Sequence, residues 1–249
     1  MKKTLITIAF IWPFLLLAQT NEGTIRYLVT RDWVKTMAAV TYISQQQKDK
    51  MNYMYGNDSE WKKYANLHFN DTSTKYEESE ESPNSEDYQY AEKKATFFIT
   101  RDFVNNKAFD VTDINGRTYV IEDSIPVMQW KILNDMKEVA GHVCMNATYT
   151  DSTRLHQVVA WFALDIPINA GPERFNGLPG CILEVDINNG AVVISADKVD
   201  MKKLNQEMAL PKKKIKGKRV TEAEYQKAID EHYEIARKNQ TIPFWGLRY

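Results

Sequence analysis

His142, Cys144 and Met145 are the first residues whose types suggest chemistry. In an extended segment alternate side chains share a face, so His142 and Cys144 project together. Imidazole and thiolate suit copper(I), and Met51 and Met54 offer thioethers to such a site. The grouping is sparse, however, and none of the four histidines (68, 142, 156 and 232) falls in an HExxH or CxxC pattern. The reading is therefore no resident metal. Hydrolytic chemistry finds as little support. There is no G-x-S-x-G elbow, and Asp151, Ser152 and His156 are neighbours only through a polar hairpin turn. Asp165, Glu173, Glu184 and Asp186 supply carboxylates with no spacing that fixes a catalytic pair.

The glycines of GPERFNGLPGCILEVD, residues 171–186, raise the question of a phosphate cradle. Such a loop feeds a helix N-terminus and usually carries Lys-Ser/Thr, and neither is present. No cofactor is expected. Gly171, Pro172, Gly177, Leu178, Pro179 and Gly180 read instead as a structural reversal. Pro179-Gly180 fits the centre of a type II turn with Gly180 at positive φ. The strand that follows would alternate, with Cys181, Leu183, Val185 and Ile187 on one face and Ile182, Glu184 and Asp186 on the other. Aromatic residues form the remaining candidate site. Trp130, Trp161, Phe162, Phe175 and Trp245, with Asp165 among them, would line a binding surface if a curved sheet gathered them. Core packing is the competing explanation for the same residues.

Strands must do that gathering. TIRYLVTRDWV, MAAVTYIS and MNYMY read as two or three strands between Gly23 and Tyr55. AEKKATFFITRD and NKAFDVTDINGRTYVIED form a meander, with Asn115-Gly116 as its hairpin turn. GHVCMNATYT, RLHQVVAWFAL, CILEVDI and AVVISADKV add four strands, the last two joined at Asn188-Asn189-Gly190. Thr221 and Glu224 make a capping box that opens a helix over residues 221–239, with Ala228, Ile229, Ile235 and Ala236 turned to the sheet. Two charge blocks interrupt the pattern: an acidic, proline-containing loop at Glu77–Asp87 and a basic segment at Pro211–Arg219, read as a solvated linker. The fold class is mainly β: a curved antiparallel sheet or open half-barrel with a C-terminal helix.

Residues 1–18 pair Lys2 and Lys3 with an apolar run from Leu5 to Leu17 and end on Ala18, the pattern of a signal peptide. Residues 19–249 then form a single β-rich domain with no further transmembrane segment. Loss of the two lysines takes the formal charge from −1 to −3, which gives no nucleic-acid signal. In an oxidising compartment the only two cysteines, Cys144 and Cys181, are expected to pair, closing a loop worth about 4 kcal/mol.

From Arg117 to Asp186 the chain resembles the GLPGLI family, also called the Porph_ging domain. The matching residues are Trp130-Lys131-Ile132, Lys137, Gly141, Cys144, Ala147, Ala160-Trp161-Phe162, Asp165-Ile166-Pro167, Gly171-Pro172, Phe175 and Gly177-Leu178-Pro179-Gly180. Cys181-Ile182 stands where the name-giving motif has Leu-Ile. The resemblance implies an exported protein of a Gram-negative envelope, in the periplasm or associated with the outer-membrane surface. A fainter similarity, in Lys137-x-Val139-x-Gly141-x-x-Cys144 and the later aromatic strand, is to the half-barrels of lipoprotein carriers such as LolA. Fold similarity of that kind does not give function. The expectation is a non-enzymatic protein that binds an apolar ligand or a partner, whether lipid, peptide or envelope protein. An accessory of an outer-membrane transporter or surface protein is the alternative, and hydrolase and copper-binding readings rank below both.

Overall fold

The computed structural model describes residues 21–83, 97–211 and 215–243. Its strands are β1 (Gly23–Asp32), β2 (Glu60–Phe69), β3 (Ser73–Glu78), β4 (Phe98–Asp102), β5 (Lys107–Ile114), β6 (Arg117–Asp123), β7 (Lys131–Val139), β8 (His142–Asp151), β9 (His156–Ala163), β10 (Cys181–Ile187), β11 (Val192–Met201) and β12 (Lys218–Val220). Helices α1 (Trp33–Ala38) and α2 (Gln45–Tyr55) follow β1, and α3 (Glu222–Asn239) follows β12. All twelve strands belong to one open sheet of order β12-β6-β5-β4-β3-β2-β1-β11-β10-β9-β8-β7. Pairing is antiparallel except for β12, which runs parallel to β6.

Local sequence explains most of these elements. In β1, Ile25, Tyr27 and Val29 are buried while the intervening residues are partly exposed, the period of two expected of a half-covered strand. Asn115 and Gly116 both have positive φ, 52° and 80°, as a two-residue hairpin turn requires. Asn188, Asn189 and Gly190 do the same between β10 and β11. MAAVTYIS and MNYMY are not strands, a correction to the sequence reading. Asp32 caps α1, and Ser44 with Gln47 forms a capping box at the start of α2. The unbranched residues of QQQKDKM then favour helix over the β-propensity of the two tyrosines. Of the proposed acidic loop, Glu77 and Glu78 belong to β3, and residues 84–87 lie outside the described residues. The basic segment ends in β12, so Lys218 and Arg219 are part of the sheet.

The sheet curls sharply, and β7 comes against β11 although three strands separate them in pairing order. Its hollow is occupied by the chain itself. The connection from β9 to β10, residues 164–180, folds back and contributes Ile166, Ile168, Ala170, Phe175 and Leu178 to the same buried cluster as Tyr27, Leu67, Tyr76, Phe162 and Ile182. Gly171 lies so close to β10 that an added Cβ would stand 2.6 Å from the Ile182 Cβ. Arg174 reaches across to Asp110 on β5. Burying four large side chains of this plug contributes on the order of 6–12 kcal/mol, at about 1.5–3 kcal/mol each. Helix α3 covers the β6 side with Tyr225, Ile229, Tyr233 and Ala236. Ile235, expected on that face, is 60% exposed. The buried stripe is instead defined by Tyr225, Ile229 and Tyr233, which recur at every fourth position.

Two details of the glycine motif differ from expectation. Gly180 does not adopt positive φ; Gly177 does, at 89°. Gly180 is required for a different reason, since a Cβ there would stand 2.1 Å from the Ala163 carbonyl oxygen. The strand after it also fails to alternate strictly. A bulge between Ile182 and Glu184 puts Ile182, Val185 and Ile187 opposite Phe162, Ala160 and Val158, with Cys181, Glu184 and Asp186 on the other set of positions.

Candidate functional site

Near the start of β9, a cavity of about 210 Å³ opens between the β6–β7 connection, the β8–β9 turn, the plug and α3. One wall is aromatic and apolar: Pro126, Val127, Met128, Tyr149 and Phe175. Trp130 extends this wall from behind, its ring centroid 5.6 Å from that of Tyr149 and 6.2 Å from that of Phe175. Its indole N–H donates to the Asn176 carbonyl at 2.8 Å. A buried indole N–H seeks such a partner, and here the bond fixes the ring to the plug. The opposite wall is charged. Arg154 donates to Asp151 at 2.5 Å across the tight turn. Burial pushes the Asp151 carboxyl up, but Arg154 more than offsets this and holds it below the usual range. His156, at the floor, is held neutral: burial first, and Arg154 second, take it down to about 3.

Arg174 completes that wall and ties the plug to its surroundings. Its Nε donates to Asp110 at 2.9 Å, its Nη1 to Glu222 at 3.2 Å, and its Nη2 pairs with the second Glu222 oxygen. Asp110, fully buried, also accepts from Arg101 at 2.5 Å. A loop residue is thereby tied to β5, β4 and the first turn of α3. Breaking such a buried network by removing one partner costs about 3–5 kcal/mol. Beside it Glu173, at φ 52°, is 5% exposed. Its carboxyl lies next to the Tyr76 hydroxyl, yet neither that hydroxyl nor Glu173 Oε2 makes a well-formed hydrogen bond. Burial raises Glu173 to about 7, with Glu78 adding to the rise and Lys63 and Arg31 opposing it.

At the opposite end of β9 lies a second recess, of about 390 Å³. It joins the β2–β3 turn, the β7–β8 turn and the first residues of the plug. His142 Nδ1 is 2.7 Å from Asp165 Oδ2 on its wall.

The aromatic residues singled out in the sequence are thus dispersed. Trp130 and Phe175 come together at the cavity, and Asp165 stands at the far recess. Phe162 is buried in the core, 1% exposed. Trp161 packs outside the cavity under Lys137, whose Nζ is 4.5 Å from the ring centroid and 2.5 Å from Glu184. Trp245 lies outside the described residues. Tyr149, Arg154, Arg174, Glu222 and Gln226 are not announced by the sequence; Arg174, for one, meets Glu222 and Asp110 across 48 and 64 positions. The adjacency of Asp151 and His156 is visible there, but its burial is not.

Cys144 and Cys181 are not bonded, which corrects the expected disulfide. Both pair with Ala163, Cys144 from β8 and Cys181 from β10. Two strand spacings separate them, about 9.6 Å, beyond the roughly 7 Å limit for bridging Cα atoms. Burial pushes the thiols up to about 11 and about 12, so both stay protonated. Among the described residues no group of three or more His, Cys, Asp or Glu is placed to hold a metal ion. No helix among them is long and apolar enough to cross a membrane.

This architecture defines a class: mainly β proteins built on one open, curled sheet with a C-terminal helix. The fold is similar to that of PNGF-II in two crystal forms, C2 and P21, each with a TM-score of 0.53 and 14% identity. The matches cover 84% and 83% of this chain but 32% and 33% of those chains, so this chain spans about a third of their length. At that identity the likeness concerns fold alone. Residues 150–184 match the family model described as a protein of unknown function, Porph_ging, in agreement with the family read from the motifs. No curated protein matches the chain in sequence.

Proposed function

We propose that the protein is an exported, non-enzymatic binding protein of the cell envelope, and that it takes a protein or peptide partner through an apolar or aromatic side chain. The observation that carries this reading is the fate of the sheet's hollow. The GLPG plug fills the space where a carrier would hold an acyl chain. At its β8–β9 end the cavity framed by Tyr149, Phe175 and Met128 is about 210 Å³. That is below the roughly 300–1,000 Å³ typical of small-molecule pockets and suits a single anchoring side chain. The charged groups around it are already paired: Arg154 with Asp151, and Arg174 with Asp110 and Glu222. They frame an anchor without demanding a charged one. A role as accessory to an outer-membrane transporter or surface protein is one form of the same reading.

Native mass spectrometry of protein purified from the envelope, followed by peptide selection, tests it. The expected results are a mass consistent with leader removal, no bound lipid, and selected peptides sharing an aromatic anchor. Replacing Tyr149 with Ala should weaken their binding about tenfold, the loss of about 1.4 kcal/mol of contact. A co-purifying acyl lipid would instead favour a carrier whose plug is displaced.

A further inference from the structure

The recess at the far end of β9 has a composition unlike that of the cavity. Its floor is apolar, formed by Phe69, Ile166, Ile168 and Met201. Its ionisable lining groups are Asp71, His142 and Asp165, with no lysine or arginine among the described residues that line it. The Asp165 carboxylate lies 2.7 Å from His142 Nδ1. A carboxylate only accepts, so in the neutral ring the proton sits on Nδ1, which donates to it. That leaves Nε2 as an acceptor with no partner among the described residues. Asp165 keeps a second oxygen, and its side chain is 59% exposed. The recess measures about 390 Å³. That falls within the size range of small-molecule pockets. Apolar floor and acceptor-only ionisable groups together call for an occupant that has an apolar body and donates hydrogen bonds from a positive charge.

We propose that this recess binds a primary ammonium group carried on a short apolar body, the ammonium among Asp165, His142 and Asp71 and the body on Ile166, Ile168 and Met201. An ammonium has three donors and no acceptor, the sense that the free Asp165 oxygen, His142 Nε2 and Asp71 call for. A carboxylate ligand of the same shape would face two like charges at close range. The site lies at the other end of β9 from the cavity and stands independently of the partner reading. A free amine and the amino terminus of a peptide share this chemistry, and the test separates them.

Isothermal titration of the purified protein with n-hexylammonium, n-hexanoate and n-hexanol reads the charge preference, while the imidazole resonances of His142 are followed by NMR. Hexylammonium should bind with unit stoichiometry, at least tenfold more tightly than hexanoate, and should shift the His142 signal. Asp165→Asn and Asp71→Asn should each weaken it about fivefold or more, with hexanol binding unchanged. The tripeptide Leu-Gly-Gly, free and N-acetylated, distinguishes the sources. Binding of the free form alone extends the site to peptide amino termini, and binding of neither confines it to small amines. Equal binding of hexylammonium and hexanoate overturns the proposal, as does an unmoved His142 resonance in the wild-type protein. The NMR reading needs no variant, so a poorly folding substitution leaves the outcome decided.

Discussion

Glu173 offers the sharpest test of how the plug is held. Its carboxyl is buried against Tyr76 with Glu78, Lys63 and Arg31 around it, and burial raises it from 4.5 to about 7. In the unfolded chain it returns to the ordinary value. The folded protein therefore binds the proton more tightly. The contribution from this group is fully present below about pH 4.5, declines as pH rises towards 7, and is lost above that. A rise of about 2.5, at about 1.4 kcal/mol each, makes the loss about 3 kcal/mol. Glu173→Gln keeps the shape and removes the titration. Its advantage over wild type should thus be near zero at about pH 4.5 and grow to about 3 kcal/mol at about pH 8. For a chain of this size that is a gain in Tm of about 6–12 °C. Thermal scans and urea titrations of both proteins across this range provide the assay, and the difference between them isolates the one carboxyl. An advantage of Glu173→Gln that is independent of pH, or a variant less stable than wild type at high pH, would refute the argument that an unpaired acid is buried here.

Gly180→Ala should destabilise the fold by about 1–3 kcal/mol in urea titration, as overpacking does. Its Cβ would be driven into the Ala163 carbonyl. Gly177→Ala should cost about 1–2 kcal/mol by backbone strain alone, having open space around it. Both thiols should resist a thiol reagent in the native protein and react together on unfolding, and oxidising conditions should leave Tm unchanged. A cross-linked native form detected by mass spectrometry would contradict the separation across Ala163.

How much of this is legible in the sequence depends on the range of the interactions. Asn115-Gly116, the Asn188–Gly190 turn and the Thr221–Glu224 box are readable because each is settled within four residues. At α2 the strand propensity of the tyrosines misleads, although Ser44 and Gln47, three apart, already specify a helix start. Gly180 has to be glycine, but not for the reason its neighbours suggest. A type II turn is a local inference, whereas the clash with Ala163 depends on how β9 passes the motif. The disulfide fails similarly: counting cysteines says that two exist, and only strand order says that a third strand lies between them. At the candidate site, Trp130 and Phe175 are visible as aromatics. Arg174 is not, because nothing near it in sequence announces a carboxylate on β5.

The GLPG segment has a physical role that separates identity from activity. Gly171 and Gly180 are small because neighbouring strands leave no room for a Cβ, and Gly177 turns the chain between them. Those glycines let the loop descend far enough for Leu178 and Phe175 to fill the hollow and for Arg174 to reach Asp110. In this chain the motif marks how a curled sheet is closed from within. What the plug leaves open lies at its two ends: the aromatic cavity beside Tyr149 and the acceptor-lined recess beside His142. The residues that shape those ends, Arg154 and Val127 at one and Asp71 and Met201 at the other, stand outside the GLPG motif itself. Substitutions there would leave the sheet intact, whereas one at Gly180 or Arg174 would strike the Ala163 carbonyl or break the tie to Asp110.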